Sequence, residues 1–156
     1  MSNPVIGSNG SKYWYQNGKC HRTDGPAVER ADGSKHWYQN DKCHRMDGPA
    51  IELADGSKYW YQNGKLRRTD GPAIERADGT KIWYQNGEFH RTDGPAIEFA
   101  DGTKEWYIDG KKYTEDQFKE WQEIQKAIAH NNKETGLNTD FWWVTRIKLY
   151  RSCTRE

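Results

Sequence analysis

Trp14 to His36 reads WYQNGKCHRTDGPAVERADGSKH, and at Trp37 the same wording begins again. Further copies start at Trp60 and Trp83, and a truncated one, WYIDGKKYTEDQF, starts at Trp106, so the period is 23 residues throughout. A half-copy, SNGSKY, precedes Trp14. Self-similarity at such a period marks a repeat architecture, in which each copy buries its apolar residues only against its neighbours.

Two turn signals recur in each copy. Asp32-Gly33, Asp55-Gly56, Asp78-Gly79 and Asp101-Gly102 lie between short runs of strand-forming residues. Read as two-residue loops, they predict type I′ hairpins. Asn17-Gly18, Asn63-Gly64 and Asn86-Gly87 form the second signal, with Asn40-Asp41 and Asp109-Gly110 as variants. An Asp-Gly-Pro break (Asp24-Gly25-Pro26 and its equivalents) then opens the next strand, where a missing N–H is tolerated.

A two-residue Asp-Gly loop sets Glu29 opposite His36 and Val28 opposite Trp37. Because strand side chains alternate, one face then receives Trp14, Trp37, Trp60, Trp83 and Trp106 with Val28, Ile51, Ile74 and Ile97. The other receives the Tyr15, Tyr38, Tyr61, Tyr84, Tyr107 row. The expectation is a Trp/Ile packing face and a partly solvated tyrosine face, since tyrosine keeps a polar end. On that second face the position before each Trp varies, reading Tyr13, His36, Tyr59, Ile82 and Glu105. Arg30, Leu53, Arg76 and Phe99 vary on the opposite face, and Cys20, Cys43, Leu66, Phe89 and Lys112 vary after the Asn-Gly turn. Where copied residues form the framework, varying ones are where specificity can reside. Tyr13, Tyr15, His36, Tyr38, Tyr59, Tyr61, Ile82 and Tyr84 are therefore the candidate contact surface, of a composition favoured at interfaces.

A 23-residue hairpin repeat with Asp-Gly-x-x-aromatic followed by Asn-Gly-Lys-x-His resembles the MORN repeat and its variants over residues 8 to about 112. The chain departs from that pattern in lacking glycine inside the strand: its run is SKHWYQN, then HRTDGPA. The full wording also resembles uncharacterised repeat proteins of bacteriophages and giant viruses. The MORN resemblance implies a mainly β fold, an elongated antiparallel hairpin array in a single-layer sheet. It also implies protein–protein contact, in some members membrane association, and no catalysis. A viral source would place the protein in the host cytoplasm, with a host protein, including one of antiviral defence, as partner.

Bulk properties agree with a thin structure. Only 33% of the 156 residues are hydrophobic and mean hydropathy is −1.21, yet there are 8 Trp and 9 Tyr. Disordered segments are poor in aromatics, so the apolar surface is concentrated in a few large rings. Lys+Arg is 24 against Asp+Glu 23, which gives no global field to attract nucleic acid or anionic membrane. No run approaches the ~20 apolar residues of a bilayer span. No secretory signal is visible at the N-terminus either, so the expected location is the cytoplasm. Cys20, Cys43 and Cys153 give an odd count without a CxxC pair, which argues against a disulfide framework.

Residues 1–113 are read as the array and 114–156 as its cap. Thr114 followed by Gln117 fits a capping box, with Glu115 and Asp116 favouring the helix dipole. Phe118, Trp121, Ile124, Gln125 and Ile128 then predict an amphipathic helix from about 115 to 130, stopped by Asn131-Asn132 and Gly136. Such a helix is expected to cover the open sheet end. In the tail, Phe141, Trp142 and Trp143 precede Arg146, Lys148 and Arg151, a second candidate contact surface.

Candidate chemistry is sparse. His21, His44 and His90 recur beside Cys20 and Cys43, but equivalent positions lie two strands apart, ~9.6 Å at ~4.8 Å per strand, too far for one metal. Arg22, Arg45, Arg68 and Arg91 are expected to pair with Asp24, Asp47, Asp70 and Asp93 and fix the linker. No GxSxG, P-loop or HExxH string is present. The expectation is thus a non-catalytic protein-binding scaffold without cofactor or metal, with self-association open to it. Two alternatives from other classes are a protein sequestering a small molecule or nucleotide, and, weaker, a single-stranded nucleic-acid binder.

Overall fold

A computed structural model describes residues 3–135. The chain divides into two compact units, residues 1–113 and 114–156. The first unit is an antiparallel array of short hairpins and the second contains one helix, so the fold is mainly β.

Eleven strands form one sheet in strictly sequential antiparallel order. They are Val5–Ile6, Lys12–Tyr13, Val28–Glu29, Lys35–His36, Ile51–Glu52, Lys58–Tyr59, Ile74–Glu75, Lys81–Ile82, Ile97–Glu98, Lys104–Ile108 and Lys111–Tyr113. Four small two-stranded hairpins leave this sheet, one per full copy: Tyr15–Gln16 with Lys19–Cys20, Tyr38–Gln39 with Lys42–Cys43, Tyr61–Gln62 with Lys65–Leu66, and Tyr84–Gln85 with Glu88–Phe89.

Tryptophan is the corner between the two kinds of hairpin. Trp37 donates its N–H to the Ala50 carbonyl of the next strand (2.8 Å), while its own carbonyl accepts from His44 N–H (3.0 Å). Trp14, Trp60 and Trp83 repeat the arrangement. Both backbone groups at the corner are thus satisfied across a sharp change of direction. In the last copy Lys104–Ile108 runs through Trp106 as one strand, pairing Trp106 with Tyr113.

The two turns differ in kind. Asn17 (φ 51°) and Gly18 (φ 73°) are both left-handed, as are their equivalents, so the small hairpins use two-residue type I′ loops. In the Asp-Gly turns only the glycine has positive φ, as at Gly33 (91°). Arg30 N–H bonds to Ser34 O (2.8 Å) and Gly33 N–H to Arg30 O (3.0 Å). That is a three-residue loop, a type I turn closed by a left-handed glycine. Asp32 stabilises it by accepting from Ser34 N–H at 2.8 Å.

This extra loop residue corrects the register expected from the sequence. Val28 faces His36 and Glu29 faces Lys35. A one-residue shift moves every side chain of the strand to the opposite face. The isoleucine row therefore stands with Tyr13, His36, Tyr59 and Ile82, while the Trp row stands on the other face. Across the sheet the apolar row reads Tyr13, Val28, His36, Ile51, Tyr59, Ile74, Ile82, Ile97. The opposite face alternates Lys12, Glu29, Lys35, Glu52, Lys58, Glu75, Lys81, Glu98, Lys104, placing unlike charges beside each other at every step.

The core lies on the isoleucine side. Ile74, Ile82 and Ile97 are buried, with Tyr59, Leu66, Tyr84, Phe89 and Tyr107 packed against them. The rings of Tyr84 and Phe89 sit 4.7 Å apart, and those of Phe89 and Tyr107 5.1 Å. The varying Cys/Leu/Phe position of the small hairpins is thus interior filling.

The helix spans Glu115–Thr135. The capping box forms: Thr114 N–H donates to Gln117 Oε1 (3.0 Å), and Gln117 N–H to Thr114 Oγ1 (3.2 Å). Phe118 and Ile128 are buried, while Gln125 is exposed and drops out of the expected stripe. The helix also runs through Asn131 and Asn132, five residues beyond the expected end near 130. Asparagine costs only tenths of a kcal/mol inside a helix, too little to stop one already propagating. Among the described residues no helix is long and apolar enough to cross a membrane.

Candidate binding surfaces

On the Lys/Glu face, each copy builds the same cluster around one arginine. The Arg68 guanidinium lies 4.1 Å from the centre of the Trp60 ring. It donates from Nε to Asp70 (3.0 Å), and from Nη1 to the Pro72 carbonyl (3.3 Å) and Glu75 (2.8 Å). Arg22, Arg45 and Arg91 do the same over Trp14, Trp37 and Trp83, at 3.9 to 4.2 Å. The expected Arg–Asp pairs therefore form at every linker, at 2.8 to 3.0 Å. The arginine also explains the glycine of Asp-Gly-Pro: a Cβ on Gly71 would stand 3.0 Å from the guanidinium carbon.

Successive copies are latched by side chains reaching about twenty residues ahead. The buried hydroxyls of Ser11, Ser34 and Ser57 accept from Ala31, Ala54 and Ala77 N–H (3.0–3.1 Å), and Thr80 from Ala100 N–H (3.3 Å). Ser57→Ala leaves the Ala77 amide without its partner, and we expect a loss of about 1–3 kcal/mol. Ser57→Thr, the residue found at position 80, should be near neutral. Urea unfolding of both variants checks this.

The candidate tyrosine surface is only partly available. Tyr15 is 45% exposed, and Tyr13, Tyr38, Tyr59, Tyr61 and Tyr84 are half-buried. His36 and Ile82 are buried at 7% and 6%, inside the core rather than on a surface. Arg146, Lys148 and Arg151 lie outside the described residues. Burial raises the phenol pKa values of Tyr38, Tyr61 and Tyr84, so these rings act as neutral groups. Arg30 is close enough to influence His36 and Tyr38, and Arg76 to influence Tyr84. Arg30 and Arg76 thus stand on the tyrosine side instead of opposing it, another consequence of the shifted register.

His36 is an unusual core residue, because its Nε2 is buried without a hydrogen-bond partner among the described residues. Burial, chiefly, lowers its pKa below the usual 6.5. The unfolded chain then takes up a proton that the native state refuses, so stability falls as pH drops below about 6.5. His36→Ile, matching Ile82, should raise stability by about 1 kcal/mol and flatten its dependence between pH 5 and 7. Urea midpoints at the two pH values test it.

The Cys20 and Cys43 thiols are free, each directed at a backbone carbonyl, Ala27 O (3.9 Å) and Ala50 O (3.7 Å). Burial pushes the Cys43 thiol up to about 12, which keeps it protonated and a poor nucleophile or ligand at neutral pH. The histidines of the linkers face the next copy's turn: His21 Nδ1 accepts from Asn40 N–H (3.2 Å), and His44 Nδ1 from Asn63 N–H (3.1 Å). Among the described residues no cluster of His, Cys, Asp and Glu is arranged to hold a metal.

Two clefts open on the linker side. One, about 580 Å³, lies beside Trp14, His21 and Arg22. The other, about 670 Å³, lies between the third and fourth linkers and includes Arg67, Trp83, Asn86 and His90. Arg67 stands where the other copies carry His21, His44 and His90, and spacing alone does not show what the histidine does there. No protein-family model matches the chain, and no curated protein is similar to it.

Proposed function

We propose that the chain is a non-catalytic repeat scaffold that binds a protein partner along the tyrosine rim of the array. The observation carrying this reading is the row Arg30, Leu53, Arg76 and Phe99. It recurs at the same position of successive copies, with Arg30 near Tyr38 and Arg76 near Tyr84, and changes from copy to copy while the Trp–Arg clusters of the opposite face do not. Arginine and aromatic residues are the types that dominate interface energetics. Phe99 is 37% exposed, a large ring left in water at the end of that row. The Lys/Glu face is regular, with lysine and glutamate alternating along it, which suits a solvated side. Resemblance to phage and giant-virus repeat proteins extends the reading to a host protein as partner.

The test is affinity capture of the full chain from host lysate, followed by native mass spectrometry of the complex. Arg30→Glu, Arg76→Glu and Phe99→Ala combined should release a stoichiometric protein partner. Lys35→Glu with Lys81→Glu, on the opposite face, should retain it. Equal retention by both variants, or no protein-sized addition to the wild-type mass, would defeat the reading.

A further inference from the structure

The third junction of the array is built differently from the others. Copies one, two and four carry His21, His44 and His90, whereas the third carries Arg67. At the first two histidine junctions the following turn is closed by two acceptors from the preceding copy. Nδ1 accepts from the N–H of the first turn residue, Asn40 or Asn63, at 3.1–3.2 Å, whereas at the fourth junction His90 Nδ1 lies 2.7 Å from Asp109 Oδ1 and donates to it. The carbonyl before the histidine, on Cys20, Cys43 or Phe89, accepts from the second, Asp41, Gly64 or Gly110, at 2.9–3.0 Å. Arginine offers no side-chain acceptor. Among the described residues, the Asn86 amide is left without that acceptor, and the Gly87 amide lacks the bond to Leu66 O that would match those at Cys20, Cys43 and Phe89. The bond that Arg22, Arg45 and Arg91 N–H make to Tyr38, Tyr61 and Tyr107 carbonyls has no counterpart from Arg68 to Tyr84.

What remains is a pair of consecutive exposed N–H groups in a left-handed turn, Asn86 (φ 55°) and Gly87 (φ 89°). Successive amides in a turn form an anion-binding concavity. Arg67 and Asn86 line a cleft of about 670 Å³, with Gly87 the next residue of the turn, and no ion pair to the Arg67 side chain exists among the described residues. The two carboxylates of the cleft do not oppose an anion with full charge, because Asp70 is held by Arg68 (3.0 Å) and Asp93 by Arg91 (2.8 Å). Trp83 and Tyr84 add aromatic wall.

We propose that this junction is a binding site for a small organic phosphate carrying a planar group. The phosphate supplies to the Asn86 and Gly87 amides the acceptors that histidine and carbonyl supply elsewhere. Arg67 completes the anchor as a planar donor matched to phosphate, and the aromatic wall receives the planar group.

The experiment is titration of the isotope-labelled full chain, followed by amide NMR, with inorganic phosphate, adenosine 5′-monophosphate and adenosine as probes. Inorganic phosphate and the nucleotide should shift the Asn86 and Gly87 amides while leaving Asn40, Asp41, Asn63 and Gly64 in place. The nucleotide should bind about tenfold more tightly than phosphate, and adenosine far more weakly than either. Arg67→His restores the acceptor found in sister copies, so it should fold, close the turn and weaken nucleotide binding at least about tenfold. Unmoved Asn86 and Gly87 amides, equal shifts at all turns, or Arg67→His binding like wild type would overturn the site. Adenosine binding as tightly as its monophosphate would remove the phosphate anchor, and a nucleotide no tighter than phosphate would remove the planar group.

Discussion

Arg68→Ala should destabilise the array by about 2–4 kcal/mol, more than any exposed substitution in it. One side chain at this position stacks on Trp60, meets Glu75 and caps the Pro72 carbonyl. The Asp70 pair adds little by itself, because that carboxylate is 78% exposed and screened. Most of the loss comes from the uncovered indole face, worth roughly 0.5–2 kcal/mol as a cation–π contact, and from the unpaired Glu75 and carbonyl groups. Arg68→Lys should recover little, since an ammonium cannot stack and reach three acceptors at once. Urea unfolding followed by tryptophan fluorescence measures both, and a lysine variant close to wild type would contradict the bonding scheme. The same clusters set the acid response. Bonds from arginine hold the Asp24, Asp47, Asp70 and Asp93 carboxyls below their usual range. The unfolded chain protonates first as pH falls, so stability is complete above about pH 4 and declines below it.

Ile74→Ala should cost about 2–4 kcal/mol by opening a cavity at the centre of the apolar row. Ile74 is 7% exposed and faces Ile82 on one side and Tyr59 on the other. Ile51→Ala, the same change one copy earlier, should cost less. Ile51 is only half-buried and faces His36, so less apolar surface is lost. In an array where each copy touches only its neighbours, a central deletion should also loosen coupling between the two halves. A lower denaturant m-value for Ile74→Ala than for Ile51→Ala is the measurable sign, and equal midpoints for the two would argue against a core centred on Ile74, Ile82 and Ile97.

The period, the hairpins, the Arg–Asp pairs and the capping box could all be read from sequence because each depends on residues close in the chain. The faces of the sheet could not. Asp32-Gly33 suits a two-residue loop and equally the last two positions of a three-residue one, and the choice is made by the Arg30–Ser34 bond. One residue of ambiguity there exchanged the partners of Trp37 and His36 and so placed the isoleucines on the wrong side. The tyrosine row kept its place beside His36, because the corner at Trp37 leaves the His36 and Tyr38 rings stacked on the same side, 6.3 Å apart. The helix end was missed because Asn131 and Asn132 are weak stop signals once a helix is under way. The importance of Arg67 was hidden for a further reason: a substitution is informative only once the hydrogen bonds of the replaced histidine are known.

The latches give the array a property of another kind. Serine reaches the amide twenty residues ahead and histidine the turn nineteen ahead, so every link joins a copy to its immediate successor. A cassette of 23 residues can be lost or gained in such a chain while each surviving latch still meets its mate. With two strands per copy, each unit advances the rim by ~9.6 Å. Within the array, Arg30, Leu53, Arg76 and Phe99 recur once per such step.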